Sequence, residues 1–210
     1  MFDSILFDLD GTLWNAVPEV ARSWTLGLEQ LGIKRPPITA EELFPCMGLL
    51  LPDIVERLLP GRSEEEKERI IARCCQVEND YLARNGAVLY PGEEKVLETL
   101  SRKYALFVVS NCEKGYIEAY FSGSGLGTYF TGFESAGNTG LTKAENIALV
   151  ARRHSLKKPV YVGDTALDYR SATEAGIPFI FAAYGFGAVE NVPAIHALGE
   201  LEGLLEALEA

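Results

Sequence analysis

The sequence has few of the residues that build disulfide or metal-thiolate frameworks. Four cysteines are spread over 210 residues: Cys46, the adjacent pair Cys74 and Cys75, and Cys112. None stands in a Cys-x-x-Cys spacing, which argues against a zinc ribbon or a disulfide scaffold and fits reduced thiols in a cytoplasmic setting. Histidine is scarcer still, with two residues, His154 at a predicted helix end and His196 in a predicted loop, and neither sits in a ligand pattern. Basic residues are outnumbered, 19 Lys and Arg against 30 Asp and Glu, for a net charge of −11. A surface of that sign repels phosphate backbones and anionic lipid, so neither nucleic acid nor a membrane is expected as a partner. No apolar run nears the roughly 18 residues that span a bilayer; the densest is Ala105 to Val109. The opening Met1-Phe2-Asp3-Ser4 carries an acid where a secretory leader carries basic residues, and no leader is expected. Apolar residues are plentiful, at 48%, enough for a sizeable core in one large domain or two small ones.

Periodicity organises the chain. Residues 4–10 read as a short strand stopped by Gly11. Val17, Val20, Trp24, Leu28 and Leu31 then recur at helical spacing, and Ser63 with Glu66 forms a capping box that opens a second long helix through Ile70, Cys74, Val77 and Tyr81. Residues 15–87 therefore read as all-helical. From Pro91 the pattern alternates: helix 91–103, strand 104–110, helix 113–122, helix 143–154, strand 160–163, helix 165–175, strand 177–182 and a last helix 198–208. Strands alternating with helices predict an α/β fold, a Rossmann-like parallel sheet with helices on both faces. The first strand is cut off from the rest by the helical block. The expected division is thus a core of residues 1–14 and 88–210 with an inserted helical cap of residues 15–87.

The candidate chemistry gathers at predicted strand ends. On a strand, residues two apart face the same side, so Asp8 and Asp10 are expected to project together at the edge where parallel sheets bind ligands, and Gly11 lets the chain turn there. A lone Asp-x-Asp is more often a pair of solvated acids. Here, however, residues 104–109 deliver Ser110 and Asn111 to the same edge, and residues 160–163 deliver Asp164, with Asp168 one helical turn on. Thr142 and Glu145 form a capping box that puts Lys143 at the first position of its helix, where ammonium and helix dipole together make an anion site.

These motifs, in this order, resemble those of the haloacid dehalogenase-like phosphohydrolases, and phosphoglycolate phosphatase-like enzymes in particular. The matching segments are Asp8-Leu9-Asp10-Gly11-Thr12, Val108-Val109-Ser110-Asn111, Lys143 at a helix start, and Gly163-Asp164-Thr165-Ala166-Leu167-Asp168. The resemblance spans nearly the whole chain, with residues 15–87 where that family carries a helical cap. It implies an Mg²⁺-dependent phosphatase for a small phosphorylated metabolite. Asp8 would be the nucleophile that forms an aspartyl-phosphate, and Asp10 the acid for the leaving alcohol and then the base for water. The Asp8 carboxylate, the Asp10 backbone carbonyl and Asp164 would hold Mg²⁺. Ser110, Asn111 and Lys143 would bind the transferring phosphoryl group, with Thr12 and Asp168 in support; Asp168 is expected to orient Lys143 or a metal-bound water. The sequence departs from many relatives at Leu13-Trp14-Asn15-Ala16 and at Leu141-Thr142-Lys143-Ala144, which leaves the substrate unassigned.

Electrostatics gives an independent expectation. Two carboxylates about 4 Å apart repel by roughly 4 kcal/mol at an effective dielectric of 20. Four acids at one rim need a dication or a proton, so Mg²⁺ is expected to stabilise the fold and Asp10 to hold the proton. A phosphomutase would share all these residues; a phospho-accepting receiver module would carry its acceptor on a middle strand with no inserted cap. Gly123-Ser124-Gly125-Leu126-Gly127 follows a helix and so does not read as a dinucleotide loop. Lys114, Arg57 and the segment around Gly48 are read as surface positions that could face substrate. Oligomeric state is not legible.

Overall fold

The computed structural model describes residues 1–47 and 49–209; Gly48 lies outside them. Runs of apolar residues that are buried on both sides build its centre. Strands β1 (Ser4–Phe7), β4 (Ala105–Ser110), β5 (Gly132–Ser135), β6 (Pro159–Gly163), β7 (Phe179–Ala182) and β8 (Ala194–Ile195) form one sheet in the order β5-β4-β1-β6-β7-β8. Every pairing in it is parallel. Alternate side chains enter opposite cores. Ile5, Phe7, Leu106, Val108, Val160 and Val162 join one apolar cluster, while Leu6, Phe107, Val109 and Tyr161 join the other. Both faces are covered, as a parallel sheet requires. Helices α8 (Lys143–Arg153) and α9 (Ala166–Glu174) supply Ile147, Val150 and Ala172 to the second cluster. Helices α5 (Glu93–Ser101), α6 (Tyr116–Ser124) and α10 (Leu201–Glu209) supply Leu97, Tyr120 and Leu205 to the first.

Between β1 and α5 the chain leaves the sheet through β2 (Trp14–Asn15) and returns through β3 (Val88–Leu89), which pair antiparallel. The segment between them folds as α1 (Val17–Gln30), α2 (Ala40–Leu43), a 3₁₀ turn (Phe44–Cys46), α3 (Leu51–Leu58) and α4 (Glu64–Asn85). Both boxes expected to cap α4 and α8 are present, Ser63 with Glu66 and Thr142 with Glu145. Of the expected stripe of α1, Val17, Val20, Trp24 and Leu28 are buried, whereas Leu31 is the C-cap and only partly buried.

Three expectations need correction. The first strand ends at Phe7, not Asp10. The chain turns on Leu9, whose carbonyl accepts from the N–H groups of Thr12 and Leu13. Helix α6 begins at Tyr116 rather than at residue 113, because the Cys112 carbonyl is taken by the Gly137 N–H and the Lys114 carbonyl by the Asn79 side chain. β5, β8 and the β2–β3 ribbon carry no alternating apolar pattern and were not expected.

Candidate active site

The rim of the sheet is assembled from the ends of β1, β4 and β6 together with the start of α8. Asp8 follows β1, its N–H continuing the ladder to the Val162 carbonyl at 2.8 Å. Lys143, the first residue of α8, reaches the same place. Its Nζ donates to Asp8 Oδ1 at 2.8 Å and to Asp168 Oδ1 at 2.6 Å, and all three side chains are buried. The other Asp168 oxygen accepts from the Thr165 N–H at 2.9 Å and its hydroxyl at 2.6 Å, in a third capping box. Asp168 thus spends its oxygens on Lys143 and Thr165.

Asp164 is held on both sides. Oδ1 accepts from the Thr12 hydroxyl at 3.2 Å, and Oδ2 from the Phe186 N–H at 2.7 Å. Two glycines make room for it. Gly11 has φ +85°, and a Cβ there would lie 2.2 Å from Asp164 Oδ2; a Cβ on Gly185 would lie 2.3 Å from the Asp164 Cβ. Carboxylate oxygens of Asp8, Asp164 and Asp168 lie within 4.8 Å of one another.

Asp10 joins the rim for a different reason from the one strand alternation suggested, since it stands past the turn. Its Oδ1 accepts from the Tyr116 hydroxyl at 2.9 Å. Ser110, at the end of β4, is buried, and its hydroxyl pulls the Asp8 carboxyl downward, as does Lys143; burial and the Asp168 charge prevail and raise it. Asn111, one residue further, is exposed. The structure therefore brings together Asp8, Asp10, Thr12, Ser110, Lys143, Asp164 and Asp168, with Asn111 at the edge of the group.

The electrostatics are those of an anion-crowded pocket. Burial raises Asp10 to about 7, with the Asp8 charge adding to it and the Tyr116 hydroxyl opposing it. Burial, Asp8 and Asp168 raise Asp164 to about 8. Although burial acts to lower Lys143, the Asp168 and Asp8 charges hold it well above the usual lysine range, so it is a fixed cation. One ammonium cannot neutralise three buried carboxylates. The donor set, hard oxygens on converging side chains with no thiolate or imidazole in the cluster, fits Mg²⁺.

Sequence reasoning missed two contributors. Tyr116 lies on the buried face of α6 and packs edge-on to Trp14 at 5.7 Å, so nothing separates it from an ordinary core tyrosine. The loop Tyr184-Gly185-Phe186-Gly187 wraps Asp164, and the Tyr184 hydroxyl donates to the Thr12 carbonyl at 2.8 Å. Its alternation of glycine and aromatic residues just after a core strand was the available signal. Lys114 and Arg57 are exposed, and Gly48 lies outside the described residues. The glycine-rich run ends α6 and packs against the end of α4, with Gly123 beside Leu82 and Gly86.

Known proteins resemble this chain in sequence and in fold. A phosphoglycolate phosphatase of Cupriavidus necator is 26% identical over 99% of this chain and 90% of its own length. One from Rhodobacter capsulatus is 26% identical over 98% of both. Among solved structures, a haloacid dehalogenase-like hydrolase of Streptococcus pneumoniae superimposes with a TM-score of 0.81 at 22% identity, covering 97% of this chain and 98% of that one. CbbY of Rhodobacter sphaeroides, solved with xylulose-(1,5)-bisphosphate, gives 0.77 at 18% identity over 96% of each chain. The family described as haloacid dehalogenase-like hydrolase matches residues 5–182. That span runs from β1 through β7 and takes in every acid at the rim and Lys143, so the chain belongs to the haloacid dehalogenase-like hydrolase family.

Proposed function

We propose that the protein is an Mg²⁺-dependent phosphatase that hydrolyses a small phosphomonoester through an aspartyl-phosphate on Asp8. The observation that carries this is the contact of Lys143 Nζ with Asp8 Oδ1 at 2.8 Å, beside the clustered oxygens of Asp164 and Asp168. A carboxylate held by one oxygen against a fixed cation presents its other oxygen as a nucleophile, and that cation is placed to receive a transferring phosphoryl group. The residues that would hold Mg²⁺ are Asp8, Asp164 and the backbone carbonyl of Asp10; bound there, the ion would supply charge neutralisation at the phosphoryl oxygens.

The chain's own residues divide the remaining work. Asp10, raised to about 7 by burial, holds a proton near neutrality and gives it to the leaving alcohol. It then takes one back from the water that attacks the aspartyl-phosphate. Tyr116 keeps that carboxyl in place through its 2.9 Å hydrogen bond. Ser110 and Asn111, at the end of β4, receive phosphoryl oxygens together with Lys143.

The division that suits this chemistry is a core of residues 1–14 and 88–210 and a cap of residues 15–87. The crossing points would be the paired strands β2 and β3, and the cap would close over a small substrate and exclude water. Phosphatase relatives at 26% identity over nearly the whole chain support the reaction class. A phosphomutase would use the same rim, and the phosphatase relatives do not favour it.

Mg²⁺-dependent phosphate release across a panel of phosphorylated metabolites, phosphoglycolate and sugar phosphates among them, tests this directly. Asp8→Asn is expected to abolish release and to leave no hydroxylamine-sensitive phosphoenzyme. Near-normal turnover by that variant would overturn covalent catalysis at Asp8.

A further inference from the structure

The loop Tyr184-Gly185-Phe186-Gly187 lies beyond the residues that the family match covers, yet it hydrogen-bonds Asp164. The Phe186 N–H donates to Asp164 Oδ2 at 2.7 Å. The backbone around it has no slack: a Cβ on Gly185 would lie 2.4 Å from the Gly11 carbonyl, and one on Gly187 would lie 2.5 Å from the Asp164 carbonyl. The ring of the same Phe186 has a different partner. It packs edge-on against Phe44, with centroids 5.4 Å apart and planes at 79°. Phe44 belongs to the 3₁₀ turn between α2 and α3, on the far side of the β2–β3 crossing, and is 48% exposed despite that contact. A large apolar ring left half in water gains little from its own segment, and its partner sits on the loop that holds a rim carboxylate.

We propose that Phe186 is a positioning residue that couples the cap to the metal site: docking of Phe44 on its ring and divalent-ion binding at Asp164 favour one another. The inference rests on the proposed Mg²⁺ site. With Phe44 in place the loop is fixed, and the Phe186 N–H holds Asp164 in one orientation before the ion arrives. Without Phe44, the Phe186 ring loses that anchor while the glycine contacts of the backbone remain, and the cost of holding the N–H on Asp164 falls on the ion's affinity. Because coupling is reciprocal, an ion that straightens Asp164 also tightens the loop and the seat for Phe44. Edge-to-face aromatic pairs are worth about a factor of 2 to 10 in an equilibrium constant, and the coupling cannot exceed that range.

Mg²⁺ binding by titration calorimetry, without substrate, to the wild-type protein, Phe44→Ala, Phe186→Ala, the double variant and Phe44→Tyr provides the test. Phe44 is half exposed, so its truncation leaves the fold intact, which the melting curve checks. Phe44→Ala is expected to weaken Mg²⁺ binding about 2- to 10-fold, Phe44→Tyr to restore it, and the double variant to bind no more weakly than Phe186→Ala, because both truncations break one contact. Equal affinity in the wild type and Phe44→Ala overturns the coupling and leaves the metal site standing. No Mg²⁺ binding by the wild-type protein overturns the metal site and the coupling with it. Additive losses in the double variant also overturn it, since each ring would then act alone.

Discussion

Lys143 shows at the scale of one residue how the rim holds itself together. Its ammonium sits 2.8 Å from Asp8 and 2.6 Å from Asp168, with all three side chains almost wholly out of water. Breaking a buried pair by removing one partner strands the other charge, typically at about 3 to 5 kcal/mol. Lys143→Met should therefore lower the urea midpoint strongly at pH 8, less at pH 5 where the stranded Asp8, already raised by burial, can take up a proton, and Mg²⁺ should restore part of the loss. A wild-type midpoint at pH 8 without Mg²⁺ would mean the bridge is not made. Tyr116 makes the contrasting case. Its ring packs on Trp14 while its hydroxyl serves Asp10, so Tyr116→Phe should keep the packing and lose the positioning. Steady-state kinetics on any accepted phosphomonoester should show kcat reduced about tenfold or more, with KM nearly unchanged. A parallel fall in melting temperature instead of kcat would assign the hydroxyl to stability.

Among the elements, α8 has the greatest influence on the site, because its first residue is Lys143. The Thr142 side chain accepts from the Glu145 N–H, and Glu145 Oε2 accepts from the Thr142 N–H at 2.8 Å. Thr142→Ala removes half of that box and should cost about 1 kcal/mol by urea denaturation. It should also lower kcat/KM by loosening the lysine, whereas Ser63→Ala, which opens α4 with an equivalent box whose hydrogen bonds go to Glu66, should cost similar stability and leave turnover alone. Both boxes could be read from the letters, because a capping box is a local pattern with fixed spacing. So could β1, β4, β6 and β7, whose apolar runs are continuous because both their faces are covered. β5 and β8 could not: Gly132–Ser135 and the two residues of β8 are ordered by pairing at the sheet edge, and no local periodicity records that. The rim followed the same rule. Asp8, Lys143, Asp164 and Asp168 stand in recognisable local motifs, whereas the Tyr116–Asp10 and Phe186–Asp164 contacts join residues far apart in sequence, and only the assembled fold brings them together.

At the scale of the whole molecule, an excess of acid is partly stored inside. Glu93, at the start of α5, is 2% exposed; Oε1 accepts from the Tyr120 hydroxyl at 2.5 Å, and Oε2 has no partner among the described residues. An ionised carboxylate with a buried, unpartnered oxygen is costly, and burial raises Glu93 to about 7 despite the Tyr120 hydrogen bond. Glu78 on α4, bonded to Trp24 Nε1 at 2.5 Å, is raised to about 8 in the same way. The sign of the effect on stability follows from linkage. Below the ordinary glutamate pKa both folded and unfolded states hold the proton, and the contribution is fully present. As pH rises through that value the unfolded chain ionises while the folded protein keeps its proton, so stability falls until the folded pKa is passed, and then levels off. For Glu93 the window runs from 4.5 to about 7, and the loss across it is of order 3 kcal/mol. Glu93→Gln cannot ionise and still offers Tyr120 a carbonyl. Urea unfolding in excess Mg²⁺, which at the proposed site would hold the rim acids in one state, should then show the wild type losing stability relative to Glu93→Gln between pH 5 and 8, with the two curves parallel above that. If the curves stay parallel from pH 5 upward, Glu93 is ionised in the fold and something not yet placed beside Oε2 stabilises it.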